Sequence, residues 1–473
     1  MPSSTPSAFP MTIDGRSVTS PGVLAVDNPA TGGVIAHVPR CTREQLDDAV
    51  LSAERAFRAW SRDVSTRREV LMAMAVMLKE NVEELAGLIT AEQGKPLAAA
   101  RIEVLGSARW LRYYSRLELE REIIQDDERA FVELVRRPIG PTAAIAVWNF
   151  PLTSAVWKIG PGLLAGTTMV VKPSPFTPVA TLRLAQLWND VIPAGVLNTV
   201  SGDDELGAWL TQHPLIRKIA FTGSTATGKK VALAAAADLK RVTLELGGND
   251  AGIVLDDVEP GRIAERLFWG AFTNTGQICT AIKRLYVPRA RLAETVDALV
   301  ALAEKMVVGD GAEDDTDLGP LTNQMQRAVV TDLVSHALAN GGRAVTGGAP
   351  ADGPGYFYPP TIVTGVEDGS RLVDEEQFGP ALPVIPYDRV EDAVGRANAS
   401  PYGLGASVWS DDTDRARAVL NQLETGMAWV NAHVAVAPHQ PFGGIKYSGI
   451  GVENGPWGVE SFTDLQMVHE ARS

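Results

Sequence analysis

The chain has 473 residues, 45% hydrophobic and 21% charged, with a formal net charge of −14 at neutral pH. That length accommodates two or three domains of roughly 150 residues, with full cores that need no covalent staples. The acidic balance argues against a nucleic-acid backbone or an anionic membrane as the main partner, because both attract a basic face.

The Ser/Pro-rich start MPSSTPSAFP is the one stretch expected to be disordered. No signal-peptide pattern follows it, and no apolar run approaches the ~18 residues of a membrane span. The two cysteines, Cys41 and Cys279, make no disulfide framework and fit the reduced cytoplasm. Two helices are expected to open the ordered part. In residues 42–60 the apolar Leu46, Ala49, Val50, Ala53, Phe57 and Trp60 share one face, and Thr42 with Gln45 reads as a capping box. Thr66 with Glu69 repeats that signal before the helical run EVLMAMAVMLKENVEEL.

From residue 139 short apolar runs alternate with helical patterns. AAIAVW (143–148), TMVVK (168–172), LNTV (197–200), KIAF (218–221) and VTLEL (242–246) read as strands. The segments between them, including about 179–188 and 226–237, read as helices. This is the βαβ pattern of a largely parallel sheet covered on both faces. A second α/β block begins after Gly247–Gly248, with strands at 284–288, 361–364, 382–387, 405–409 and 427–430 and a Gly/Asp-rich loop over 308–323. Ligands of open α/β sheets bind beyond the carboxyl ends of the strands. That rule points to Asn149, Lys172 and Gly223.

Gly223 opens the stretch GSTATGKK, which has P-loop spacing but carries Lys230 where a Mg²⁺-binding hydroxyl belongs. No strand-end Asp supports a metal, and G-x-G-x-x-G is absent, so both an NTPase and an orthodox Rossmann loop are unsupported. Three other stretches carry chemistry. Cys279, in NTGQICTA, is a potential nucleophile toward a carbonyl, although a lone Cys is usually a small buried hydrophobe. Glu245 ends an apolar strand, where a carboxylate is either paired, facing solvent, or held at raised pKa as a general base. Asn149 ends another, as a turn former or as an amide donor to an oxyanion. A thiol, an amide donor, a carboxylate and a nucleotide loop together describe aldehyde oxidation through a thioester.

The motifs WNFP (148–151), VKPS (171–174), FTGST (221–225), LELGGN (244–249), GQICT (276–280), EEQFGP (375–380) and PFGGIKYSGIG (441–451) occur in this order. By them the chain resembles the NAD(P)-dependent aldehyde dehydrogenases, over residues from about 25 to about 470. The resemblance implies an α/β fold with two Rossmann-like parallel-sheet domains and a small β oligomerisation arm. Residues 1–117 and 139–246 would bind the dinucleotide, 247–440 would form the catalytic domain, and 118–138 with 456–473 the arm.

It further implies Cys279 as nucleophile, Glu245 as general base, and Asn149 with the Cys279 N–H as oxyanion donors. Cofactor contacts would come from Trp148, Lys172, Ser174, Pro175, Gly223, Ser224, Leu246, Glu376 and Phe378. Phe150, Trp157, Ile278, Thr280, Val436 and Phe442 match the family's substrate tunnel. Pro175 stands where a Glu would repel a 2′-phosphate, so NAD is expected and NADP stays open. Val436, aliphatic where several relatives are aromatic, implies an uncharged, moderately bulky aldehyde. No metal is expected, and His433 and His439 read as loop or helix-end residues. A homodimer or homotetramer is implied. The alternatives are an acylating relative, which would end without glutamate-activated water, a semialdehyde-specific relative, and a non-catalytic binding protein of the same fold.

Overall fold

The computed structural model describes residues 9–119 and 122–472. Most of the Ser/Pro-rich start, through residue 8, lies outside them. Strands, rather than helices, open the described chain. Met11–Ile13 and Arg16–Val18 pair antiparallel, with Ile13 opposite Arg16. The turn between them is Asp14–Gly15, with φ of 52° and 71°, the positive values that a two-residue hairpin of this hand requires. A second hairpin joins Val23–Asp27 to Val34–Pro39.

Helix Arg43–Trp60 follows with its expected capping box: Thr42 Oγ1 accepts from the Gln45 amide, and Gln45 Oε1 from the Thr42 amide. The expected Thr66–Glu69 cap is not formed. Asp63 caps instead, accepting from the Thr66 amide at 3.0 Å, and the helix begins at Val64. A carboxylate is the stronger acceptor for first-turn amides. The run expected as one helix breaks at Asn81 into Val64–Glu80 and Val82–Gln93.

The first sheet has eight strands. Its centre is five parallel strands in the order Leu197–Thr199, Met169–Lys172, Thr142–Ile145, Lys218–Thr222, Arg241–Glu245. The N-terminal hairpin extends one edge, and Gly449–Ile450, which falls in none of the expected units, closes the other antiparallel to Leu244 and Glu245. The chain order reverses between Thr142–Ile145 and Lys218–Thr222, so a crevice opens there at the carboxyl ends.

The second sheet has seven strands, in the order Arg343–Thr346, Thr361–Thr364, Ala381–Tyr387, Ile282–Pro288, Asp250–Val254, Gly405–Trp409, Met427–Val430. All but the first pairing are parallel. The central strand Asp250–Val254 escapes the sequence reading because it starts on an aspartate and contains a glycine, both poor strand formers. Its burial on all five positions explains why it is a strand regardless. A third, three-stranded sheet sets Thr463–Ala471 antiparallel to Ala130–Pro138 along nine residue pairs, with Glu122–Asp126 on the far side. Among the described residues no helix is long and apolar enough to cross a membrane.

Residues that leave strands of the first sheet contact the loop that precedes a strand of the second. Asn149, Lys172, Gly223 and Glu245 leave or end strands of the first sheet. Cys279, Glu376 and Leu404 lie just before strands of the second.

Candidate active site

The loop that carries Cys279 is held in an unusual shape. Helix Pro260–Phe272 ends, and Asn274, Thr275 and Gly276 then run left-handed, with φ of 53°, 56° and 70°. A β-branched residue rarely adopts that conformation, and Thr275 is kept there by its hydroxyl, which donates to the Gly319 carbonyl. Gly276 must be glycine on a second count: a Cβ there would lie 2.3 Å from the Gly379 carbonyl oxygen. Gln277 then donates to Asn274 O and accepts from the Thr322 amide.

Asn149 comes to this loop from the first sheet. Its Nδ2 donates to the Gln277 carbonyl at 2.7 Å. Its own carbonyl accepts from Lys95 Nζ at 2.9 Å and from Asn274 Nδ2 at 3.2 Å. Lys95 is paired with Glu103 at 2.6 Å, both side chains being 1% exposed. The other Glu103 oxygen accepts the Leu152 and Thr153 amides, capping helix Pro151–Ala165. One buried ion pair thus fixes both the turn that presents Asn149 and the helix that follows it.

Cys279 is half-buried. Burial pushes its thiol up to about 12; Lys283 works to lower it, while Asp250, Glu376 and Glu245 raise it further. Glu245 is buried at the end of its strand, and among the described residues neither of its oxygens has a hydrogen-bond partner. Burial holds its carboxyl well above the ordinary range, with Glu453 adding to the effect and Lys158 opposing it. Lys158 and Glu453 form a buried pair at 2.8 Å, and Lys158 also donates to Thr222 Oγ1 at 2.6 Å. The sequence reading missed this pair. Its signal was a lysine in the middle of the apolar helix PLTSAVWKIGPGLLA, where an unpaired charge would be costly.

The residues expected to hold a dinucleotide fall around the same crevice. Burial lowers Lys172 to about 8, with Asp204 and Asp203 opposing. Ser224 caps the 13-residue helix Thr225–Ala237 through its hydroxyl, and a helix N-terminus suits a phosphate. Gly228 lets that helix sit on Leu246, since a Cβ would come within 2.4 Å of the leucine side chain. Lys229, which would reach phosphate in a P-loop, instead lies 3.8 Å from the Tyr447 ring centre. The Ser174 hydroxyl accepts from the Phe176 amide, and Pro175 is partly exposed beside it. Trp148 and Phe378 meet edge to face at 5.1 Å. Glu376 Oε1 accepts from the Gly248 amide and from Lys283 Nζ. An ammonium, a helix N-terminus, a carboxylate for ribose hydroxyls and a pair of aromatic rings make a donor set that suits a nicotinamide dinucleotide.

Three of the six expected substrate residues converge. Trp157, Val436 and Phe442 pack with Cys279 in one apolar cluster, joined by Leu404, Met427 and Trp429. Trp157 lies 4.8 Å from Phe442 and stacks on Trp110 at 5.6 Å. Ile278 and Thr280 are buried on either side of the cysteine, outside that cluster. Phe150 is held elsewhere, 3.8 Å from the Lys95 ammonium, because the turn that aims Asn149 turns Phe150 onto the ion pair. His439 is an exposed loop residue, whereas the His433 side chain is buried, with Nε2 2.7 Å from the Thr280 carbonyl.

The sequence model of the aldehyde dehydrogenase family matches residues 17–468. A phenylacetaldehyde dehydrogenase of Pseudomonas fluorescens is 40% identical, over 97% of this chain and 95% of its own. Among solved structures, an NAD+ complex of an aldehyde dehydrogenase from Bacillus cereus matches with a TM-score of 0.96 at 34% identity, over 99% of this chain and 97% of that one. An NAD-dependent aldehyde dehydrogenase from Sinorhizobium meliloti matches with a TM-score of 0.96 at 31% identity, over 99% and 95% of the two chains.

Proposed function

Because the chain belongs to the aldehyde dehydrogenase family, whose solved relatives include an NAD+ complex, we propose that it oxidises an uncharged aldehyde with a bulky or aromatic tail to the carboxylic acid, through a thioester on Cys279. The observation that carries this reading is the convergence of Cys279, Asn149 and Glu245 from two sheets beside one apolar, aromatic cluster. The name of the Pseudomonas relative and the Trp110–Trp157–Phe442 ring set both favour an arylalkyl aldehyde.

In this reading the thiol of Cys279 loses its proton and its sulfur adds to the aldehyde carbon. Asn149 has two amide N–H groups. One is engaged by Gln277 O, which leaves the second for the developing oxyanion, together with the Cys279 N–H. Donors fixed before the reaction are worth on the order of 10²–10³ in rate each. The nicotinamide of bound NAD supplies the hydride acceptor. Lys172 and the helix start at Ser224 would hold its adenosine and phosphate end, with Gly223, Leu246, Ser174 and Pro175 lining it. Trp148, Glu376 and Phe378 would hold the nicotinamide end. Glu245 would then take a proton from water as it attacks the thioester, releasing the carboxylate and the thiol. Lys158, held by Glu453, would favour the charged form of Glu245, while the Glu453 carboxylate opposes it.

The first sheet and its helices are read as the dinucleotide unit, the second as the catalytic unit, and the three-stranded sheet as an arm joining chains in a dimer or tetramer. Two unpaired cysteines fit a cytoplasmic location. Pro175 can neither bond a ribose hydroxyl nor repel a 2′-phosphate, so NADP is read as a weaker second cofactor.

The test is a screen of aldehydes, phenylacetaldehyde included, following NAD(P)H absorbance at 340 nm with both cofactors. Cys279→Ala should abolish turnover. Glu245→Gln should release one equivalent of NADH and stall with the acyl group on the protein, visible as a mass increase. Unchanged steady acid production by Glu245→Gln would instead remove Glu245 from the mechanism.

A further inference from the structure

The strand that follows the nucleophile loop contains a lysine whose side chain is 3% exposed. Lys283 Nζ lies 2.9 Å from the Ile278 carbonyl, 2.9 Å from the Cys279 carbonyl, 3.1 Å from the Gly248 carbonyl and 3.1 Å from Glu376 Oε1. The next carbonyl, of Thr280, is met by His433 Nε2 at 2.7 Å. Burial lowers His433 to about 3, so its imidazole is neutral. The contact to a carbonyl then places the single ring proton on Nε2. Three successive carbonyls around the nucleophile are therefore held by two buried side chains.

We propose that Lys283 is a positioning residue that couples the nucleophile loop to the cofactor carboxylate, with His433 completing the grip on the loop. A peptide unit is planar and trans, so its carbonyl and its N–H point in opposite directions. Drawing the Ile278 carbonyl onto Lys283 turns the Cys279 N–H the other way, and among the described residues that N–H donates to no partner. Lys283 thereby aims the backbone oxyanion donor.

On its other side Lys283, together with the Gly248 amide, anchors one oxygen of Glu376. The second oxygen makes no hydrogen bond among the described residues. That oxygen is the one able to accept from ribose hydroxyls. Lys283 faces four acceptors with three N–H groups, so two acceptors share a proton in this state. Glu376 can shift toward a ribose and leave three carbonyls matched by three donors. Charge follows the same geometry. Of the charged groups facing the thiol, namely Lys283, Asp250, Glu376 and Glu245, only Lys283 favours the thiolate.

This inference rests on the proposed roles of Cys279 and Glu376, and its test separates the two. Alkylation of Cys279 by iodoacetamide, followed by mass across pH without aldehyde, reports the thiol whether or not the protein turns over. NAD binding is followed by fluorescence titration. Lys283→Met should raise the alkylation profile by about one pH unit, a tenfold slower reaction at fixed pH. It should also weaken NAD about fivefold and lower kcat about 30-fold or more. Lys283→Arg should keep the parental alkylation profile and recover part of kcat.

With Glu376→Gln already in place, Lys283→Met should have little further effect on NAD affinity. A parental alkylation profile and parental NAD affinity in Lys283→Met overturn the inference, even if turnover confirms Cys279. Should Lys283→Met not accumulate as folded protein, Lys283→Gln against Lys283→Arg decides in the same way. A shifted profile for Gln alone supports the coupling, and equal profiles overturn it.

Discussion

At the scale of single residues, the consequence of burying Glu245 is a pH dependence of definite sign. Its folded-state pKa is raised well above the ordinary 4.5, first by burial and then by Glu453. The base form that the proposed activation of water requires is therefore lacking at acid pH and appears as pH rises through the raised value. Below it, acyl-enzyme hydrolysis should rise about tenfold per pH unit, and Glu245→Gln should flatten the slope in single-turnover experiments. The same shift acts on stability. The fold prefers the neutral carboxyl, so the contribution of this group is fully present below 4.5 and is lost as pH climbs through the folded value. Glu245→Gln should accordingly melt higher than the parent at pH 9 and converge with it near pH 4. Equal melting at both pH values would show that the carboxyl is not desolvated. Cys279, Glu245 and Asn149 were legible as residue types because each is out of place locally: a polar group ending an apolar strand, or a thiol in a glycine-rich polar loop. Lys283, Lys158 and Lys95 were not, since a lysine in a sequence gives no sign of what its ammonium will reach.

At the scale of elements, the pair Lys95–Glu103 bridges helix Leu97–Arg116, helix Pro151–Ala165 and the turn of Asn149. Removing one partner of a buried pair leaves an uncompensated charge, which costs about 3–5 kcal/mol, whereas neutralising both can cost far less. Lys95→Met should be strongly destabilised in chemical denaturation, and Lys95→Met with Glu103→Gln should recover most of that loss. If the double variant is no better than the single, the carboxylate is not the group left stranded. Turnover should stay low in the double variant even so, because the Asn149 carbonyl has lost its lysine. Elements whose signal is local were read correctly from sequence, such as the capping box at Thr42 and the strand Gly405–Trp409. The N-terminal hairpin carried an Asp-Gly turn signal that was passed over, and Asp250–Val254 carried almost none. Its strand state comes from burial between neighbours on both sides.

At the scale of the whole molecule, the three-stranded sheet presents Thr463–Ala471 as an edge strand with Leu465 and Met467 about 60% exposed, and Ile123 and Ile124 are exposed on the strand at its other edge. Exposed apolar edge strands are normally covered, which is what favours the proposed arm. Leu465→Asp with Met467→Asp should shift the protein to a smaller species in light scattering after gel filtration. An unchanged mass would remove this sheet from the assembly.

The sequence by itself determined the reaction class, the parallel α/β character and the candidate reacting groups, because these depend on local pattern and on motifs read in order. Only the tertiary structure decided what surrounds them: that Asn149, leaving one sheet, meets the loop that precedes a strand of the other, that Phe150 packs on Lys95, and that buried lysines hold Asn149 and the Cys279 loop in place and pair with Glu453 near Glu245. These are contacts between residues up to about 300 positions apart. Burial and charge at such a site are set by what the fold brings near, and no window of sequence contains them.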